Sequence, residues 1–561
     1  MKPPPLAAPR LASDFFADPN AATVAEVWYA EAVRLDAEGS AAAVDAYLQC
    51  AVAAWPAVEM AALDIQASGY LASPTANAPV HASREWELYQ SAVVGLLVAA
   101  QEHGRWNPAT GLVAMGPRGF MPVETAYHGF VGSPAEFGEL RPVGNVASAH
   151  LTRTYRRHGL GVPLVVVHNE SGAHRPFVQQ RCQFAATALV RPVRTAHGAD
   201  VRLELYDPLR QWQVRLATGP VPLAGNFSAP LVSPGVNLRQ QWLEPFLRPA
   251  TGGADDRLEM IEPFQPNKIP VLLVHGLLSD PITWTDMINE LQVQTHLMSR
   301  YQIWTFRYDT GAPFFTSAAA LRRQLAELQA IYNPCRTDAA ATNIVIVGHS
   351  MGGLIANLQV SHSGELLWNA AARVPLGQLQ TDPATRAALG EAFFFDPSSD
   401  VSRVVYIGTP HLGSGWARRA VGGLGSALVE PAPLAAQRHS QLMRDNHGAF
   451  SDELTQRFPT SVDLLEPTSP LLNATARLPY RPGVLAHSII GEGRYTLGSG
   501  PSDGVVPVTS ARLVGAASET LVNARHSHQP RNETVIAEVM RILAEHTAAV
   551  DSLRGAAPNW P

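Results

Sequence analysis

The sequence predicts an α/β protein: a doubly wound, mainly parallel sheet in its second half, preceded by a small helical domain and a β-rich domain. Three observations carry this prediction. Helix-period apolar spacing dominates the first hundred residues, short β-type runs follow, and from about residue 268 continuous apolar runs alternate with amphipathic ones. At 561 residues, with 46% hydrophobic and 16% charged residues, the chain is long enough for several cores and too apolar to be disordered.

In the helical part, Val24, Val27, Trp28 and Leu35 precede Gly39, and Val44, Tyr47, Leu48, Ala51, Val52 and Trp55 recur at three and four residues after it. This reads as a helical hairpin, and Trp86, Tyr89, Val93 and Leu97 add another helix. No 34-residue recurrence suggests a repeat array. Residues 1–115 are therefore expected to form a packing domain, with no partner specified for its helices. In the β-rich part, taken as residues 119–250, "VPLVVVH" is continuously apolar, whereas "DVRLELYD" alternates and places Val201, Leu203 and Leu205 on one face. Residues 248–270, rich in Pro, Gly and charge, read as a linker.

The third part, residues 268–550, contains "IPVLLVHG", "YQIWTFRYD", "NIVIVG", "VSRVVYIG", "GVLAHSIIG" and "ETLVNAR" as strands, with "ITWTDMINELQ", "AAALRRQLAELQAIY", "MGGLIANLQV" and "ETVIAEVMRILAEH" as helices. Continuous apolar strands of this type belong to parallel sheets covered on both faces.

The net charge of −6, without a Lys/Arg block, gives no reason to expect nucleic acid. Three scattered cysteines argue against a disulfide framework or a zinc site, and no cofactor or metal is expected. The apolar run "AVVGLLVAA" is too short to span a bilayer, and the first residues lack an apolar segment of signal-peptide length. A soluble protein is expected, whether cytoplasmic or secreted with its signal already removed.

The pattern G-x-S-x-G occurs twice, in "GHSMGG" (348–353) and "GPSDG" (500–504). Only the first lies between a predicted strand and a predicted helix. Ser350 is there held at a sharp turn with the Met351 amide at a helix N-terminus, whereas Ser502 falls in a predicted loop. A serine nucleophile needs a base, and the base an orienting acid. A sheet of this type places the acid after the seventh strand and the histidine after the eighth. "SDGVVP" supplies Asp503, and "HSHQP" supplies His526, with His528 as the alternative base. Asp503 also fits an ordinary turn aspartate. "LLVHGLLSD" brings a second backbone amide, that of Leu277, to join Met351 as an oxyanion donor. His275, His349 and His411 read as loop-orienting groups rather than proton carriers.

On these motifs, with "IGTPHLGS" added, residues 268 to about 548 resemble the α/β-hydrolase superfamily. Within it they resemble the esterase/lipase branch that includes triacylglycerol lipases and GPI-inositol-deacylase-like hydrolases. The resemblance implies Ser350 as nucleophile, His526 as base and acid, Asp503 as orienter, Leu277 and Met351 as oxyanion donors, and an acyl-enzyme route for carboxylic esters. An insertion at about 413–480 has the position of a cap or lid, a packed helical insertion that never moves being the alternative; its Trp416, Leu424 and Leu428 favour an acyl or aromatic substrate, whether a small-molecule or a lipid-like ester. Two other readings remain open at this stage: an acyltransferase on the same three residues, and a non-catalytic scaffold that binds a partner.

Overall fold

The computed structural model describes residues 21–67, 84–116, 119–143, 151–168, 176–178, 182–195, 198–217, 219–232, 256–277, 279, 281–415, 433–456, 460–496 and 500–555. The chain divides into two compact units, Met1–Arg175 with Gln180–Val236, and Pro176–Gln179 with Asn237–Pro561. Among the described residues no helix is long and apolar enough to cross a membrane, and Cys50, Cys182 and Cys335 form no disulfide.

In the first unit, helices Ala21–Ala37, Ala42–Ala67 and Arg84–Glu102 pack with a seven-stranded sheet. Its neighbours are antiparallel except Gly119–His128 beside Gly198–Tyr206. Leu203 and Leu205 are fully buried, as their alternation predicts. They share one core with Trp55, Tyr89 and Leu96, so the helical and β-rich segments are one unit rather than the two domains expected. The sheet's apolar face has to be covered, and the helices cover it. Tyr89 secures the join. Its hydroxyl bonds both Val190 N and Val190 O at 3.0 Å, groups that lie beyond the end of the neighbouring strand Val162–His168.

The second unit is built on a sheet of seven strands, here β1 Arg257–Met260, β2 Ile269–Val274, β3 Tyr301–Arg307, β4 Ile344–His349, β5 Val401–Ile407, β6 Leu485–Gly491 and β7 Ser518–Val522. Across the sheet the order is β1-β3-β2-β4-β5-β6-β7, parallel throughout except for β1 against β3. The main helices are α1 Thr285–Gln292, α2 Phe314–Tyr332, α3 Met351–Val360, α4 Pro383–Phe393, α5 Pro433–Asp445 and α6 Glu533–Gly555. β2 and β4 are buried at every position, which is why their sequences do not alternate.

Two expectations change here. The proposed linker contains β1, because Leu258 and Met260 alternate into the core and the Leu258 amide is held by Gln324 Oε1 at 2.7 Å. Asp503 and His526, expected after the seventh and eighth strands, follow the sixth and seventh strands of the described sheet, since only β1 lies outside β3 at that edge. The insertion is helical where described. Leu464, Leu471 and Leu472 share a core with Leu354 and Leu358 of α3, while Trp416, Leu424 and Leu428 lie outside the described residues.

At the amino end of β5, Arg403 is buried at 1% exposure. It donates to His487 Nε2 at 2.7 Å, to Glu545 Oε1 at 2.9 Å and to His546 Nδ1 at 3.3 Å, tying β5, β6 and α6 together. Both imidazoles must be neutral to accept. Burial first, then Arg403, lowers each to about 4 from 6.5; Arg541 lowers His487 further, and Glu545 opposes the shift in both. A folded value below the unfolded one means the stabilisation is present above 6.5 and is lost as pH falls toward 4. The thermal midpoint is expected to drop across that window. A His487→Gln/His546→Gln variant should start lower at neutral pH and drop less on acidification, which melting curves at several pH values would check.

Candidate active site

The polypeptide turns from β4 into α3 at Ser350, whose φ of 53° and ψ of −125° lie where non-glycine residues are strained. What permits the turn is the approach of α3 to the end of β2. A Cβ on Gly352 would sit 2.3 Å from the Val274 and His275 carbonyl oxygens, and one on Gly348 would sit 2.6 Å from Gly353 Cα. Ser350 N is fixed by Ile407 O at 2.8 Å, so β5 also holds the turn. The serine hydroxyl is thereby presented at the carboxyl edge of the sheet.

Three predicted side chains meet there. His526 Nε2 lies 2.9 Å from Ser350 Oγ, and His526 Nδ1 lies 2.7 Å from Asp503 Oδ2. Because the carboxylate can only accept, Nδ1–H donates to it and Nε2 is left to accept from the serine hydroxyl. Asp503 is 2% exposed. Its Oδ1 takes the Val505 and Val506 amides at 2.9 and 2.7 Å, and its Oδ2 also takes Gln529 Nε2 at 2.6 Å. The turn reading of Asp503 fits this geometry: its carboxylate caps its own turn while facing His526.

His528 is exposed and its Nδ1 lies 3.2 Å from Ser527 Oγ, so it does not join the set. Ser502 does not either. It belongs to a short strand, Gly500–Ser502, paired with Arg494–Thr496 where a loop was expected, and its Oγ accepts from Gly504 N at 3.1 Å. Met351 opens α3, where helix geometry leaves its amide without an intrahelical partner. Leu277 follows Gly276, which is close-packed on the serine turn: a Cβ there would be 2.9 Å from Ser350 Cβ.

His275, His349 and His411 are buried. His349 Nε2–H donates to the His526 carbonyl at 3.0 Å, and burial, reinforced by the nearby His526 imidazole, holds it well below the usual imidazole range. His275 stacks on Tyr308 at 4.4 Å, and His411 packs edge-on to Tyr406. Burial lowers both to about 4. Among the described residues no group of three His, Cys, Asp or Glu side chains could hold a metal ion.

Residues 271–539 match the profile of the alpha/beta hydrolase family. This segment of the chain is an α/β-hydrolase domain. Solved structures similar to the chain include a lipase of Bacillus licheniformis in mature form, 19% identical, covering 50% of this chain and 93% of that one with a TM-score of 0.30. EstA from Clostridium botulinum is 14% identical over 50% of this chain and 87% of its own, TM-score 0.30. A lipase of Staphylococcus hyicus is 12% identical over 52% and 100%, TM-score 0.32. No curated protein matches.

Sequence reasoning passed over Gln529 in the hydrolase domain. The signal was its spacing: His526–Arg531 is a 3-10 helix, in which residues three apart eclipse, so Gln529 lies beside His526. The glycine contacts give a direct test. Gly352→Ala drives a methyl group into two strand carbonyls and is expected to lower stability by roughly 1–3 kcal/mol or more. Gly377→Ala, with nothing within 4 Å of the new Cβ, should stay within about 0.5 kcal/mol. Denaturation curves of the two variants would decide.

Proposed function

We propose that the hydrolase domain is a serine carboxylester hydrolase acting on hydrophobic acyl esters. The observation that carries this is the unbroken hydrogen-bond chain from Ser350 Oγ through His526 to Asp503. In this reading His526 Nε2 takes the hydroxyl proton as Ser350 Oγ attacks the ester carbonyl. The tetrahedral oxyanion is received by the Met351 and Leu277 amides, the first reinforced by the α3 dipole. His526 then returns the proton to the leaving alkoxide, which departs as the alcohol and leaves Ser350 acylated. Water, deprotonated by the same imidazole, releases the acid and restores the serine. Asp503 keeps the imidazole in the tautomer and orientation both steps require.

The buried, neutral His275, His349 and His411 support assigning proton transfer to His526 alone. The hydrophobic character of the substrate is supported by the apolar composition of the insertion and by Leu412, 49% exposed on the loop after β5 at the same edge of the sheet.

Ser350→Ala and His526→Ala are each expected to lower kcat on a p-nitrophenyl ester by about 10⁴-fold or more. His528→Ala should leave it within about twofold, as for an exposed residue outside the site. A fluorophosphonate should label Ser350 and no other serine; labelling elsewhere, or full activity of Ser350→Ala, would contradict the assignment. Across a series of acyl chain lengths, kcat/KM is expected to rise from acetyl to longer esters, by up to about tenfold for each pair of methylenes buried.

A further inference from the structure

We propose that Gln529 is a positioning residue of this site. Its carboxamide shares one oxygen of Asp503 with His526 and so fixes the orientation of the carboxylate and the share of its charge that reaches the imidazole. The proposal rests on the reading of Ser350, His526 and Asp503 given above. Gln529 is fully buried, and its Nε2 lies 2.6 Å from Asp503 Oδ2, the atom that also receives His526 Nδ1–H at 2.7 Å. With the Val505 and Val506 amides on Oδ1, each oxygen accepts two donors. A carboxylate has about four acceptor sites, so this one is saturated and cannot turn without breaking two bonds.

The slot for this amide is built into the sheet. Gly408 and Gly491 directly follow or end adjacent strands, β5 and β6. A Cβ on Gly491 would meet Gln529 Nε2 at 2.5 Å and Asp503 Cβ at 2.6 Å; one on Gly408 would meet the Gln529 carboxamide at 2.9 Å and Asp503 Oδ2 at 3.2 Å. A glycine that closes β6 and one that directly follows β5 thus leave room for a carboxamide against a carboxylate.

A filler of that slot would be apolar. Instead the chain buries a carboxamide and sets its N–H on the carboxylate oxygen; burying so polar a group is favourable only where it is hydrogen-bonded. The amide's orientation follows from charge, since its oxygen facing the carboxylate would repel it. The 3-10 turn then couples the two donors: His526 and Gln529, three residues apart, reach the same oxygen from one short element.

Two variants separate this role from packing. Gln529→Met keeps the volume and deletes the donor; kcat is expected to fall about 10–100-fold with KM nearly unchanged, the loss that removing the hydrogen-bond partner of a metal-bound side chain causes. Gln529→Glu keeps the shape. Buried beside a carboxylate, its carboxyl retains a proton at neutral pH and donates in place of the amide. This variant should outperform Gln529→Met near neutrality and lose activity on the alkaline side, where wild type does not. A packing role alone predicts that Met is tolerated at least as well as Glu, with no alkaline fall.

The low-field ¹H NMR signal of the Nδ1 proton of His526 tests the shared oxygen without turnover. It should shift in Gln529→Met and return toward the wild-type position in Gln529→Glu at neutral pH. If the wild-type protein neither hydrolyses esters nor labels with fluorophosphonate, the catalytic reading fails while this signal still reports on the shared oxygen. Should both variants leave the signal in place and follow the wild-type pH profile, the positioning role of Gln529 is overturned.

Discussion

The site depends on one close contact, that of the first turn of α3 with the ends of β2 and β4. Gly352 lies against two carbonyl oxygens of the β2 end, and Gly348 lies against the backbone of Gly353. With any side chain at these positions the helix would start farther from the sheet, and Ser350 would relax out of its φ of 53°. The strain, of order 1–3 kcal/mol for such a residue, is small beside what a buried parallel sheet and its covering helices supply. It converts an ordinary strand-to-helix connection into one that projects a hydroxyl at the edge where the loops after β5, β6 and β7 gather.

Buried polar groups show the same logic at the two ends of the sheet. At the carboxyl end Asp503, nearly inaccessible to water, receives four donors. At the amino end Arg403 is equally buried and donates to two imidazoles and a carboxylate. A charge taken out of water must be met by hydrogen bonds in fixed geometry: the turn after Asp503 and the 3-10 turn His526–Arg531 provide them for the carboxylate, and β6 and α6 provide them for Arg403. The ends differ in what is left over. Around Arg403 the acceptors are consumed in structure, while at Asp503 one donor, His526, passes the interaction on to Ser350.

Much of this was legible in the chain. The continuous apolar runs at Ile269–Val274 and Ile344–His349 are buried at every position, as their composition demands. The strand before "GHSMGG" and the helix after it distinguished Ser350 from Ser502. Less legible was the edge strand Arg257–Met260: four residues with two charges look like linker until a partner strand and Gln324 complete their hydrogen bonds. The separation of a helical from a β-rich domain failed for a related reason. Periodicity reveals which face of an element is apolar but not which other element covers it, and Tyr89 reaches Val190 across about a hundred intervening residues.

By itself, then, the sequence determined the alternation of strand and helix, the serine at the turn, and the order in which an acid and a histidine follow it. These are local properties, set by side-chain periodicity and by glycines that admit a tight turn. The tertiary structure decided between His526 and His528 as the neighbour of Ser350. The two are separated by one residue, and only the 3-10 turn His526–Arg531 sends the first toward Asp503 and leaves the second in solvent. It also brought in Gln529, whose part depends on an oxygen 26 positions away, a distance over which one-dimensional patterns carry no information about contact.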